Sequence, residues 1–167
     1  GYGVYSTEPN SGTADFIIGE YYLFGTDDGG TPSQRHNGIL DDLRFYNRAL
    51  SASEITRLYK LKKTVLQGAD QTGMVGWWKL DEGTGTIAGD SSGNRNTGTF
   101  TNIANPPTAT SGWGKGKKDH GSGLAFDGSN DYVETSPTLP ILSDFTISAF
   151  IKFSSESIMD IWGVIGT

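Results

Sequence analysis

Two carboxylates sit where a strand pattern would bury them. In ILDDLRFY the odd positions are Ile39, Asp41, Leu43 and Phe45, so alternation places Asp41 on the apolar face. In VGWWKLDE, Met74, Trp78 and Leu80 share a parity that Glu82 continues. A lone buried carboxylate is costly, so Asp41 and Glu82 each need a partner. One calcium ion would serve both, with main-chain oxygens of the GDSSGNRN turn completing its shell of about six to eight oxygens. Pairing of Asp41 with Arg44, Arg48 or a turn amide is the alternative. Asp42 has the opposite parity and is expected to face water.

Other strings that resemble catalytic motifs lack their required context. Gly89-Asp90-Ser91-Ser92-Gly93 matches G-x-S-x-G, but a nucleophile elbow needs a strand before it, a helix after it and a His partner. NRNTGTF follows instead, and the two histidines, His36 and His120, have no evident partners. FDGSNDYVE groups Asp127, Asp131 and Glu134, yet Tyr132 stands where an EF-hand loop needs Gly, so a β-turn is expected. HExxH is absent. GWGKGKK lacks the Ser/Thr that a P-loop needs after Gly-Lys. Trp113 in that stretch could stack on a sugar ring. Tyr21, Tyr22, Trp77 and Trp162 are further aromatic candidates, with core packing the competing role, most of all for Trp77 and Trp162.

The elements that must hold these residues are strands. The chain has 167 residues, 24 of them Gly, and no Cys. Short apolar stretches between Gly-rich turns predict an all-β sandwich. In FTISAFIKF, Phe145, Ile147, Ala149, Ile151 and Phe153 share one face. One helix is predicted over LSASEITRLYKLKK. Ser51 and Glu54 form a capping-box pair, Leu50 and Ile55 a hydrophobic staple, and Ile55, Leu58 and Tyr59 follow helical spacing. QGADQTG, residues 67–73, reads as a linker. The absence of Cys excludes a disulfide frame and a Cys-rich zinc site. A net charge of −6 argues against nucleic acid as partner. No apolar run reaches the roughly 20 residues of a membrane span, and no signal peptide is visible.

Several separated motifs together resemble one family. GMVGWWKLDEGTGTIAGDSSGNRNTGTF, GLAFDGSNDYVET and FTISAFIKF look like the first half of a bacterial laminin-G-like, concanavalin A-like lectin domain. NGILDDLRFYNRALSASEITRLY looks like its last strand and exit helix. The resemblance covers about half the chain. It implies a jelly-roll sandwich of two antiparallel sheets, an extracellular or cell-surface setting, and glycan binding or adhesion. It also implies a structural calcium, carried here by Asp41, Glu82 and the backbone of Gly93 or Asn94. The expected partner is a polysaccharide or glycoconjugate, contacted through Trp113, Tyr21 and Tyr22, with no catalysis, no nucleic acid and no membrane insertion.

The order of the motifs departs from the family pattern. Residues 1–66 resemble a C-terminal half and 73–167 an N-terminal half. The chain is then either one permuted sandwich or a window across two tandem domains. Nearby termini make permutation physically easy. Completion by neighbouring copies of the chain is the other route, since open sheet edges can pair. A structural repeat of a surface fibre or pilus-like assembly is accordingly the second functional class. Glycosidases on this sandwich carry an E-x-D-x-x-E cluster, and a retaining pair needs carboxylates roughly 5 Å apart. No such string occurs.

Overall fold

A computed structural model describes residues 16–19, 24–26, 35–60, 71–116, 121–135 and 144–154. Two antiparallel sheets face each other. The first contains β1 (Phe16–Ile18), β2 (Phe24–Thr26), β5 (Ile87–Ala88), β6 (Gly98–Thr101) and β9 (Tyr132–Thr135), in the order β2-β1-β9-β6-β5. The second contains β3 (Asn37–Tyr46), β4 (Met74–Trp78), β7 (Gly112–Lys115), β8 (Ser122–Asp127) and β10 (Thr146–Phe153), in the order β10-β3-β8-β7, with β4 also paired to β3. The predicted all-β sandwich with one short helix is thus the observed fold. Each sheet draws strands from both sides of the 67–73 stretch. GYGVYS, most of that stretch, Tyr21, Tyr22, His120 and Trp162 lie outside the described residues.

β3 organises the second sheet. One edge pairs with β10 along nearly its whole length, and the other pairs with β8 at Asn37–Leu40 and with β4 at Leu43–Tyr46. Its register slips once against β10. Asp42 and Leu43 together face Ala149, and Asp42 has φ 53°. That is a β-bulge with a left-handed residue, a conformation that Asp tolerates better than most. The bulge resets the alternation, so Leu40 before it and Leu43 and Phe45 after it all face the core. A second slip on β4 puts Val75 and Trp78 in the core, while Met74 and Trp77 face outward.

The core between the sheets combines Ile18, Ala88 and Val133 of the first sheet with Leu40, Leu43, Trp78, Leu124, Phe126 and Ile147 of the second. Trp78 lies at its centre, and its indole N–H donates to the Asn96 carbonyl at 2.8 Å. Gly76 is glycine because a Cβ there would stand 2.3 Å from the Trp78 ring.

A smaller cluster on the outer face of the second sheet joins Tyr46, Met74 and Trp77 to Leu50, Ile55 and Leu58. The last two belong to α1 (Ala52–Lys60), which covers that face. The capping box forms as its spacing predicts. Glu54 Oε2 accepts from the Ser51 N–H at 2.8 Å, and Ser51 Oγ accepts from the Glu54 N–H at 3.3 Å. Arg48 adds a two-pronged pair to the same carboxylate. Its hydrogen bonds, and then those of Ser51, lower the Glu54 pKa from 4.5 to about 2. This contribution is complete above pH 4.5 and is lost as pH falls toward 2. The pair is partly solvated, so its worth is small. Ser51→Ala is expected to cost about 1 kcal/mol in urea unfolding. A change below about 0.3 kcal/mol would mean that the cap does not hold the helix.

Candidate functional site

The bulge on β3 gives Asp42 a role that strand parity does not foretell. Parity places Asp42 toward water, yet it is buried. Its Oδ2 accepts from Arg44 Nη2 at 2.6 Å, and its Oδ1 accepts from the Trp77 indole N–H at 2.7 Å. Arg44 is buried as well and lies over the Trp77 ring, 5.3 Å from its centroid. Lys79 Nζ stands 4.5 Å from the same centroid. One carboxylate, one guanidinium and one indole thus form a buried polar unit on the outer face of the sheet. Arg44 pairs with Asp42, and Arg48 pairs with Glu54.

Asp41 is buried at 2% exposure, but not on the core face. It follows Leu40, which points into the core, so its side chain takes the other side of the sheet. The expectation that it shares a face with Leu43 and Phe45 is corrected by the intervening bulge. Its carboxylate reaches toward Gly116, where a Cβ would lie 2.6 Å from Oδ2.

The remaining expected metal ligands are elsewhere. Glu82 is exposed and accepts from the Gly89 N–H at 2.8 Å. The Asn94 amide donates to the carbonyls of Met74 and Val75, at the start of β4, at 2.9 and 3.0 Å. Gly93 adjoins it with φ 91°. The Asp42 amide, next to Asp41, meets the Lys79 carbonyl just past the other end of β4. Val75 and Lys79 are four extended residues apart, roughly 13 Å. The Asn94 side chain and the backbone beside Asp41 are thus tied to opposite ends of β4. A calcium ion needs about six oxygens around one point, and the Glu82 carboxylate and Asn94 side chain are engaged in the hydrogen bonds above. Among the described residues, no three His, Asp or Glu side chains group as metal ligands.

The GDSSGNRN turn is closed by its own hydrogen bonds. The Asp90 carboxylate accepts from the backbone N–H groups of Trp77, Ser92 and Asn96, at 2.9, 2.8 and 2.8 Å, and from the Ser92 hydroxyl at 2.8 Å. Asn96 also donates to the Val75 carbonyl at 2.7 Å. Ser91 lies in this turn, without a following helix, so the G-x-S-x-G string is no nucleophile elbow. Asp90→Ala is expected to cost about 2–3 kcal/mol in denaturant unfolding, because several donors lose a charged acceptor at once. A cost below about 0.5 kcal/mol would show that the turn is held by other means.

The described aromatic candidates, Trp77 and Trp113, are internal. Trp113 is 6% exposed, packs on Phe100 at 5.2 Å and donates its indole N–H to the Gly85 carbonyl at 2.9 Å. An open sugar platform at Trp113 is thus corrected to a core position, because β7 turns that side chain between the sheets. Trp77 is buried beneath Arg44 and Lys79. The FDGSNDYVE stretch is a turn, as expected. Asp127 Oδ1 accepts from the Ser129 N–H at 2.7 Å, and Asp131 Oδ2 accepts from the Asp127 N–H at 3.0 Å.

What the fold and these contacts define is a two-sheet sandwich module braced by buried polar contacts at Asp42 and Asp90. No protein-family model, curated protein or solved structure matches the chain. Among the described residues no helix is long and apolar enough to cross a membrane.

Proposed function

We propose that the chain is a non-catalytic carbohydrate-binding or adhesion module of an extracellular or cell-surface protein. One observation carries the reading. The strand bearing ILDDLRFY pairs directly with the strands bearing MVGWW and TISAFIKF. Motifs that resemble the two ends of a laminin-G-like domain are therefore parts of one sheet. Trp77, Trp78 and Trp113 are buried, so binding falls to Tyr21, Tyr22 and polar loop groups.

That burial also favours a second reading, a structural repeat of a surface fibre whose sandwich serves assembly. A glycoside hydrolase or lyase is the weakest reading, because no E-x-D-x-x-E string occurs. The folded chain should be applied to a polysaccharide panel, with calcium and with chelator, and its mass followed by light scattering. Selective binding by a monomer supports the lectin reading. Binding that chelator abolishes would support a calcium ion in it, with Asp41, Glu82, Gly93 and Asn94 the first residues to replace. A folded chain that binds nothing and self-associates overturns it in favour of assembly. Release of reducing sugars would restore catalysis.

A further inference from the structure

His36 ties the two sheets together. It is buried at 1% exposure. Its backbone N–H donates to the Gly19 carbonyl, just past β1, at 2.9 Å. Its ring meets Phe126 of β8 and Phe153 of β10 edge-on, both at 5.6 Å. β1 belongs to the first sheet, and β8 and β10 belong to the second. Gly19 is held in the same seam, where a Cβ would stand 2.6 Å from the Phe126 ring and 3.2 Å from the Asp131 carbonyl.

Neither ring nitrogen of His36 has a hydrogen-bond partner. A neutral imidazole tolerates an aromatic setting at modest cost. An imidazolium brings a full charge and two N–H donors into it, with the Ile39 backbone as the one group that favours the charge. Among the described residues, five charged groups lie on the elements around the seam. Arg35 stacks on Tyr132 of β9 at 5.6 Å. Asp127 of β8 and Asp131 hold the turn between β8 and β9. Glu134 of β9 and Lys152 of β10 complete the set among the described residues, and the described part of β1 contributes none. None of them bonds to the imidazole.

We propose that His36 is an acid-sensitive latch: when its imidazole takes up a proton, the end of the sandwich where β1 meets β3, β8 and β10 opens. Desolvation lowers the His36 pKa from 6.5 to about 4, outweighing the Ile39 backbone, which raises it. A folded pKa below the unfolded one means that the latch is fully closed above pH 6.5 and weakens as pH falls toward 4. One proton changes the opening equilibrium about tenfold per pH unit, or roughly 300-fold across the window. Asp131 acts in the opposite sense. Burial raises its pKa, so acid relieves the cost of its charge and moderates the total effect.

The test uses the full chain with His120→Gln, which leaves one imidazole to follow. Nuclear magnetic resonance reports its titration, and hydrogen-exchange protection factors report opening between pH 7.5 and 4. The expected result is no ring titration near pH 6.5. Protection at Ile18 and His36 should fall about tenfold per pH unit below pH 6, ahead of β4. His36→Phe should keep the aromatic contacts and lose this acid dependence. If that variant does not fold, His36→Gln makes the same comparison. A ring that titrates near pH 6.5 in the folded chain overturns the proposal. So does a variant that keeps the wild-type acid response.

Discussion

Asp42→Ala is expected to destabilise the chain by about 3–5 kcal/mol, the range for breaking a buried ion pair. In a domain of this size that lowers the melting temperature by roughly 6–20 °C. The cost has three sources. Arg44 stays buried without its countercharge, and its Nε and Nη1 already have no hydrogen-bond partner. The Trp77 indole N–H loses its acceptor. Alanine must also adopt the left-handed conformation at φ 53°, which Asp and Asn accept more readily.

Asp42→Asn separates these terms. It keeps an acceptor for the indole and suits the bulge, so it should cost about 2 kcal/mol, mainly through the uncompensated guanidinium. Replacing both members, Asp42→Asn with Arg44→Met, should recover part of the loss, since apolar groups can stand in for buried pairs. Guanidinium chloride unfolding measures all three. If Asp42→Ala stays within about 1 kcal/mol of wild type, the pair is solvated rather than buried.

Trp78→Ala should cost a similar amount, about 3–5 kcal/mol, for a different reason. No charge is involved. The indole is fully buried between the sheets, and Gly76 leaves space for it. Truncation opens a cavity that two hydrogen-bonded sheets cannot collapse to fill. The Asn96 carbonyl also loses its indole donor. Trp78→Phe retains most of the apolar area and should cost about half as much. Near-ultraviolet circular dichroism and denaturant unfolding check both. A loss below about 1.5 kcal/mol for Trp78→Ala would place the residue outside the core.

The parts of the fold that are legible in the sequence are those set by local chemistry. The alternation from Phe145 to Phe153 puts Ile147, Ala149 and Ile151 in the core as expected. The Ser51–Glu54 spacing marks the start of α1. Strand parity fails where a bulge intervenes. One extra residue at Asp42 moves Asp41 off the core face and makes Asp42 the buried partner of Arg44. No rule of alternation reveals a bulge in advance. The Asp42–Arg44 spacing and the Trp77-Trp78 doublet are signals for it, since one aromatic in such a doublet must face away from the core. The Trp113 position turns on strand length. As part of a loop it would be free to meet a sugar, but as part of β7 it is committed to the interior.

The position of β3 in its sheet also has a consequence for synthesis. Its partners in β10 lie from 100 residues away, Tyr46 to Thr146, to 115 residues away, Gly38 to Phe153. A ribosome adds about 5–20 residues each second. The central strand therefore emerges roughly 5–20 s before its longest neighbour exists. During that wait its apolar side chains and open edges are available to any other strand nearby. Contacts this distant in sequence also slow closure of the fold once the chain is whole. A nascent chain halted before β10 should be the form most readily captured by chaperones.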